Sequence, residues 1–138
     1  MAMVLMLAVT GAMANQQGGS YSRIDTNPPS VGIQVFDANN TEQLLTSIDW
    51  GMLNPGQTAN HDALIVNNDA SKTWNLTVTT SEWNPANATE YMAFTYEVYG
   101  ETLQTQLAVR FTLEIYENAT DITDFSFSIT LNFQEASQ

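Results

Sequence analysis

Residues 103–117 read LQTQLAVRFTLEIYE, and in them apolar and polar side chains alternate. Leu103, Leu107, Val109, Phe111, Leu113 and Ile115 share one parity, while Gln104, Gln106, Arg110, Thr112 and Glu114 share the other. A strand points successive side chains to opposite faces, whereas a helix of about 3.6 residues per turn would scatter the same residues around its circumference. The stretch therefore reads as a strand with one face buried. DFSFSITLNF repeats the pattern, with Phe125, Phe127, Ile129, Leu131 and Phe133 inward and Ser126, Ser128, Thr130 and Asn132 outward. TWNLTVTT does so again, with Trp74, Leu76 and Val78 alternating with Thr73, Asn75, Thr77 and Thr79.

Four more strands are read in VGIQVF, EQLLTSIDW, ANHDALIVNN and YMAFTYEVYG, and turn-forming stretches separate the segments: DANN (37–40), NPG (54–56), NNDAS (67–71), NPANA (84–88), YGET (99–102) and ENATD (117–121). Gly56 suits the positive φ of such a turn. The cap-then-proline order of NPANATEY predicts one helical turn opened by Pro85. About seven short strands with turns between them predict an all-β domain over residues 31–138, an immunoglobulin-like antiparallel sandwich. Residues 15–30, with Gly18-Gly19 and Pro28-Pro29, read as a linker or extended arm.

At 138 residues the chain suffices for one such domain. Its only cations are Arg23, Lys72 and Arg110, against 15 acidic residues, for a formal charge of −12. No basic footprint exists to displace counterions from phosphates, so nucleic acid is excluded as an expected partner, and anionic membranes are disfavoured likewise. Charged residues make up 13% of the chain, about half the usual share, so Thr, Asn, Ser and Gln must supply the polar surface. That balance suits a secreted or cell-surface β-protein. There is no cysteine, so packing or assembly must supply the stability.

Twelve of the first fourteen residues, MAMVLMLAVTGAMA, are apolar, and polarity begins at Asn15. Two readings stay open. As an export signal, residues 1–9 form the apolar region and Ala12-Met13-Ala14 a small-residue cleavage site, although a positively charged leading region is lacking. If retained, fourteen helical residues reach only about 21 Å, short of a hydrocarbon core of about 30 Å. A retained segment would then need burial against copies of the protein, as a helix among helices or as a strand added to a neighbour's sheet edge. The expected assembly residues are Met1, Met3, Val4, Leu5, Met6, Leu7 and Val9.

Chemistry is sparse. His61 is the lone histidine, and in ANHDALIV it reads as a strand-surface imidazole beside Asp62 rather than a catalytic base. The oxygen-rich runs holding Glu117, Asp121 and Asp124, and Asp37 and Glu42, do not match the twelve-residue calcium loop and read as solvated turns, so no metal or cofactor is expected. No phosphate-cradling glycine loop occurs, and no enzyme is indicated. Lys72, in a turn, reads as solvent-exposed rather than as a partner in an isopeptide bond. Four sequons are present, at Asn39, Asn75, Asn87 and Asn118, each with Thr two residues on. All four fall in turns or on a polar strand face, where N-linked glycans would project into solvent.

Trp50-Gly51, then Pro55-Gly56, a strand ending at Asn67, Trp83 with Pro85, and the closing Phe125-Ser126-Phe127-Ser128-Ile129 follow one another in order. Over roughly residues 31–133 this succession resembles small secreted archaeal β-sandwich surface proteins. More distantly it is similar to the camelysin- and TasA-like fibre subunits and to archaeal pilin-like subunits. The resemblance implies a structural homopolymer in which an N-terminal segment completes or bridges the next subunit. The alternative is a monomeric carbohydrate-binding or adhesion module with a cleaved signal, whose sugar platform would be Trp50, Trp83, Tyr91 and Tyr99.

Overall fold

A computed structural model describes residues 20–27, 32–69, 71–120 and 124–136. Among them are nine strands: β1 (Ser20–Asn27), β2 (Ile33–Asp37), β3 (Asn40–Leu44), β4 (Ser47–Gly51), β5 (Thr58–Asn67), β6 (Trp74–Asn84), β7 (Met92–Tyr99), β8 (Gln106–Ile115) and β9 (Phe125–Glu135). A 3-10 turn, Ala86–Glu90, separates β6 from β7, as the Pro85 signal predicts, and Pro85 itself forms its cap after a cis Asn84–Pro85 bond. The strands make two sheets, β4-β1-β9-β6 (sheet A) and β3-β2-β5-β8-β7 (sheet B). They are antiparallel except where β1 runs parallel to β9 along its whole length, Ser20 opposite Phe125 through Asn27 opposite Asn132.

The sandwich predicted from alternation is what forms. Ile48, Phe127, Ile129 and Leu131 from sheet A meet Ala63, Ile65, Val109, Phe111 and Leu113 from sheet B, all at most 2% exposed. Each large apolar side chain removed from water in this way stabilises the fold by about 1.5–3 kcal/mol.

Two corrections raise the strand count from about seven to nine. The first concerns residues 15–30, expected as an arm: Ser20–Asn27 are strand β1, seated inside sheet A between β4 and β9. The second concerns EQLLTSIDW, expected as one strand. It divides at Leu45-Thr46, where the chain passes from one sheet to the other. The Leu45 N–H donates to Val35 O of sheet B at 2.8 Å, and Thr46 O accepts from the Ile24 N–H of sheet A at 2.9 Å. The adjacent leucines break the alternation here, Leu44 facing solvent and Leu45 the core.

A bulge shapes sheet A. Ser81 pairs with Ser128 and Asn84 with Ser126, so three steps along β6 match two along β9. The extra residue is accommodated at Glu82, whose φ of 56° lies in the left-handed region that non-glycine residues seldom adopt. Trp83 is thereby turned inward onto Phe127, the two rings stacked nearly parallel with centroids 4.0 Å apart. Its indole N–H donates to Thr80 Oγ1 at 3.2 Å.

The registers define two ends. Ser20, Gly51, Asn84 and Phe125 lie at one end of sheet A, and Thr58, Met92 and Ile115 lie at the corresponding end of sheet B. At the opposite end buried Asn67 ties two loops together, its amide donating to Lys72 O and Gln104 O, both at 2.8 Å.

Candidate functional site

The two sheets present different faces to water. On sheet A the outward residues of β1, β9 and β6 are almost wholly polar. Asn27 Nδ2 donates to Asn132 Oδ1 at 3.3 Å, and Asn132 Nδ2 to Thr79 Oγ1 at 3.1 Å, in a ladder running across three strands. Where the bulge throws Glu82 outward, its Oε1 accepts from Arg23 Nη2 at 3.0 Å and from Ser128 Oγ at 2.8 Å. Tyr21, Arg23, Glu82, Ser126, Phe127 and Ser128 line a cleft of about 220 Å³ here. This is below the roughly 300 Å³ at which small-molecule sites begin, and Arg23, Glu82 and Ser128 in its wall are already bonded to one another.

Sheet B differs. Its registers set Leu44 opposite Phe36, Phe36 opposite Leu64, Leu64 opposite Ala108 and Ala108 opposite Tyr99. One continuous apolar row therefore crosses all five strands. It faces outward, because the intervening Val35, Ala63, Ile65, Leu107 and Val109 are buried in the core. Leu44 and Tyr99 are each 51% exposed, and Phe36 and Leu64 are half-buried without belonging to the core. Polar residues bound the row on both sides, Gln34 and Gln106 beside Val66 on one, and Asp62, Arg110 and Glu97 on the other.

The Asp62–Arg110 pair is bidentate, Arg110 Nε to Oδ1 at 2.7 Å and Nη2 to Oδ2 at 3.1 Å. The guanidinium hydrogen bonds hold the Asp62 carboxyl below the ordinary carboxylate range. Beside it, desolvation and the hydrogen bond from Tyr99 Oη to Glu97 Oε1, 3.2 Å, push the Tyr99 hydroxyl up.

His61 is not the strand-surface residue expected. It shares the parity of buried Ala63 and Ile65, so it faces the inner side of sheet B near the rim, opposite in sense to Asp62. Its Nε2 is buried without a hydrogen-bond partner, 3.5 Å from Asp37 Oδ2 and so beyond hydrogen-bond range. Among the described residues no hydroxyl is hydrogen-bonded to this nitrogen. Among the described residues no three His, Asp or Glu side chains converge to hold a metal ion; Asp121, in one of the two acidic runs, lies outside them.

The four sequon asparagines are all exposed: Asn39 in the β2–β3 turn, Asn75 on edge strand β6, Asn87 in the 3-10 turn and Asn118 after β8. In two sequons the middle residue is a core anchor, Ala88 at 0% and Ala119 at 1% exposure, which holds Asn87 and Asn118 at the surface. Both lie at the Ser20 end, where the Tyr116 N–H donates to Tyr91 O and joins the two loops. Lys72 is exposed as expected, its Nζ 5.8 Å from the Trp74 ring centroid.

The aromatics of the sugar-platform reading do not form one surface. Trp50 is 7% exposed, and its indole N–H donates to buried Ser22 Oγ at 2.9 Å. Trp83 is stacked on Phe127, and Tyr99 belongs to the far sheet. The assembly residues Met1, Met3, Val4, Leu5, Met6, Leu7 and Val9 lie outside the described residues. Among the described residues no helix is long and apolar enough to cross a membrane. No protein-family model matches the chain, and no curated protein does.

Proposed function

We propose that this chain is a structural subunit of an extracellular fibre, a homopolymer held together by burial of the apolar residues 1–14 in neighbouring subunits. One observation carries the reading. The described residues from Ser20 onward already form two sheets closed over a buried core, and the fourteen residues that lead the chain are apolar and carry no charged side chain. An apolar segment of this kind, left in water, calls for burial, and burial against other copies joins them. A segment of one copy buried on a different surface of the next is a head-to-tail contact, and such contacts propagate into open filaments where the rotation between copies does not close a ring. The ordered resemblance from Trp50-Gly51 to Phe125–Ile129 points the same way, toward small secreted β-sandwich surface proteins. Glycans on the exposed sequons would coat the fibre.

Negative-stain microscopy of the purified chain, with its first residue fixed by intact mass, tests the reading. Fibres from material that begins at Met1, lost on Leu5→Asp or Leu7→Asp substitution, are the expected result. Monomers from material that retains Met1 would overturn it.

A further inference from the structure

We propose that the outward apolar row of sheet B, Leu44–Phe36–Leu64–Ala108–Tyr99, is the surface on which residues 1–14 of a second copy dock. The inference rests on the fibre reading and assigns its acceptor. A soluble strand face that alternates faithfully should be polar outward, as sheet A is. Sheet B breaks the rule along one register line, widened by Val66 in the line beside it, and Gln34 and Gln106 on one side and Asp62, Arg110 and Glu97 on the other bound it.

Dimensions, charge and reach select the occupant. Five strands set four spacings of about 4.8 Å, so the row is about 19 Å long. Fourteen residues coiled as a helix run about 21 Å. Residues 1–14 contain no charged side chain, whereas the chain as a whole carries −12. Pairing two sheet B faces would bring two acidic domains together, and docking a neutral segment avoids that repulsion.

Reach decides that the segment comes from another molecule. From Ala14 to Ser20 is six residue steps, at most about 20 Å when fully extended. Ser20 lies in sheet A, at one end of the sandwich. Reaching the outer side of sheet B means crossing a sheet spacing of about 10 Å and a comparable distance beyond it. The row also stands six residues above Glu114, since Ala108 pairs with Leu64 while Glu114 pairs with Thr58; that adds about 20 Å along the strands. The straight-line distance is then about 28 Å, longer than the tether, by the same spacings.

The test uses the full chain with Met1 retained. Leu64→Asp and Tyr99→Asp should each raise the critical concentration for fibre formation by about tenfold or more, while Thr95→Asp, outward on the same sheet but two register lines away beside Thr112, leaves it unchanged. Urea midpoints within error of the parent establish that the variants fold. Independently, p-benzoylphenylalanine in place of Leu64, in a mixture of isotopically heavy and light chains, should photo-crosslink to residues 1–14 of the other isotope. Crosslinks within one chain, or to another chain's sheet, would overturn the assignment. So would fibres undiminished by Leu64→Asp, although the fibre reading would then stand. A parent chain that retains Met1 and never assembles removes both.

Discussion

Trp50 on β4 donates its indole N–H to Ser22 Oγ on β1 at 2.9 Å, with both side chains buried. The bond joins the edge strand of sheet A to the strand beside it. It also explains a serine at 0% exposure in the interior of a sandwich.

Removing the acceptor should therefore cost more than a surface hydroxyl would. Ser22→Ala leaves a buried indole N–H without a partner, and the expected loss is about 1–3 kcal/mol of unfolding free energy. The companion variant Trp50→Phe with Ser22→Ala removes both polar groups, so its hydrogen-bond loss is smaller and its cost is mainly one of packing. Urea unfolding of the single and double variants checks the pair. Full additivity would show that the bond has no energetic weight.

Asp62 and Arg110 give a pH-dependent prediction of known sign. Because Arg110 lowers the folded-state value of Asp62 beneath its ordinary 3.8, the pair contributes stability above that value. The contribution fades as pH falls from about 4 through the depressed value. Both side chains are roughly two-fifths exposed, which limits the effect to about 1 kcal/mol or less. Arg110→Ala should thus differ measurably from the parent at pH 7 and converge on it near pH 2. A difference that grows on acidification would contradict the pairing.

Glycopeptide mass spectrometry of material from a glycosylating host should find modification at two or more of Asn39, Asn75, Asn87 and Asn118. Asn87 and Asn118 are the best presented, since Ala88 and Ala119 anchor their loops from within. Unmodified asparagine at every site would remove glycans from the proposal.

The strands that bury alternating apolar residues were legible because period two has no other economical explanation. Strand β1 was not, because its inward residues begin Ser20, Ser22, Ile24, with two hydroxyls where the eye seeks hydrocarbon. What holds it in the sheet is pairing on both edges, and sequence periodicity carries no record of that. The inward setting of His61 was available from its parity with Ala63 and Ile65, but the neighbouring Asp62 drew attention to the wrong face. The row on sheet B lay beyond any local reading: Phe36, Leu44, Leu64, Tyr99 and Ala108 come from five strands, and register alone aligns them.

The last strand, β9, is the middle of sheet A, flanked by β1 from the beginning of the domain and by β6 from its centre. Until residues 125–135 leave the ribosome, β1 has only β4 to pair with, and β6 has no partner in its sheet. Completion of sheet A must await β9, and with pairings so distant in sequence it will be slow. A translocation channel that passes only unfolded polypeptide would thus meet the strands of sheet A still short of their central partner until β9 is made.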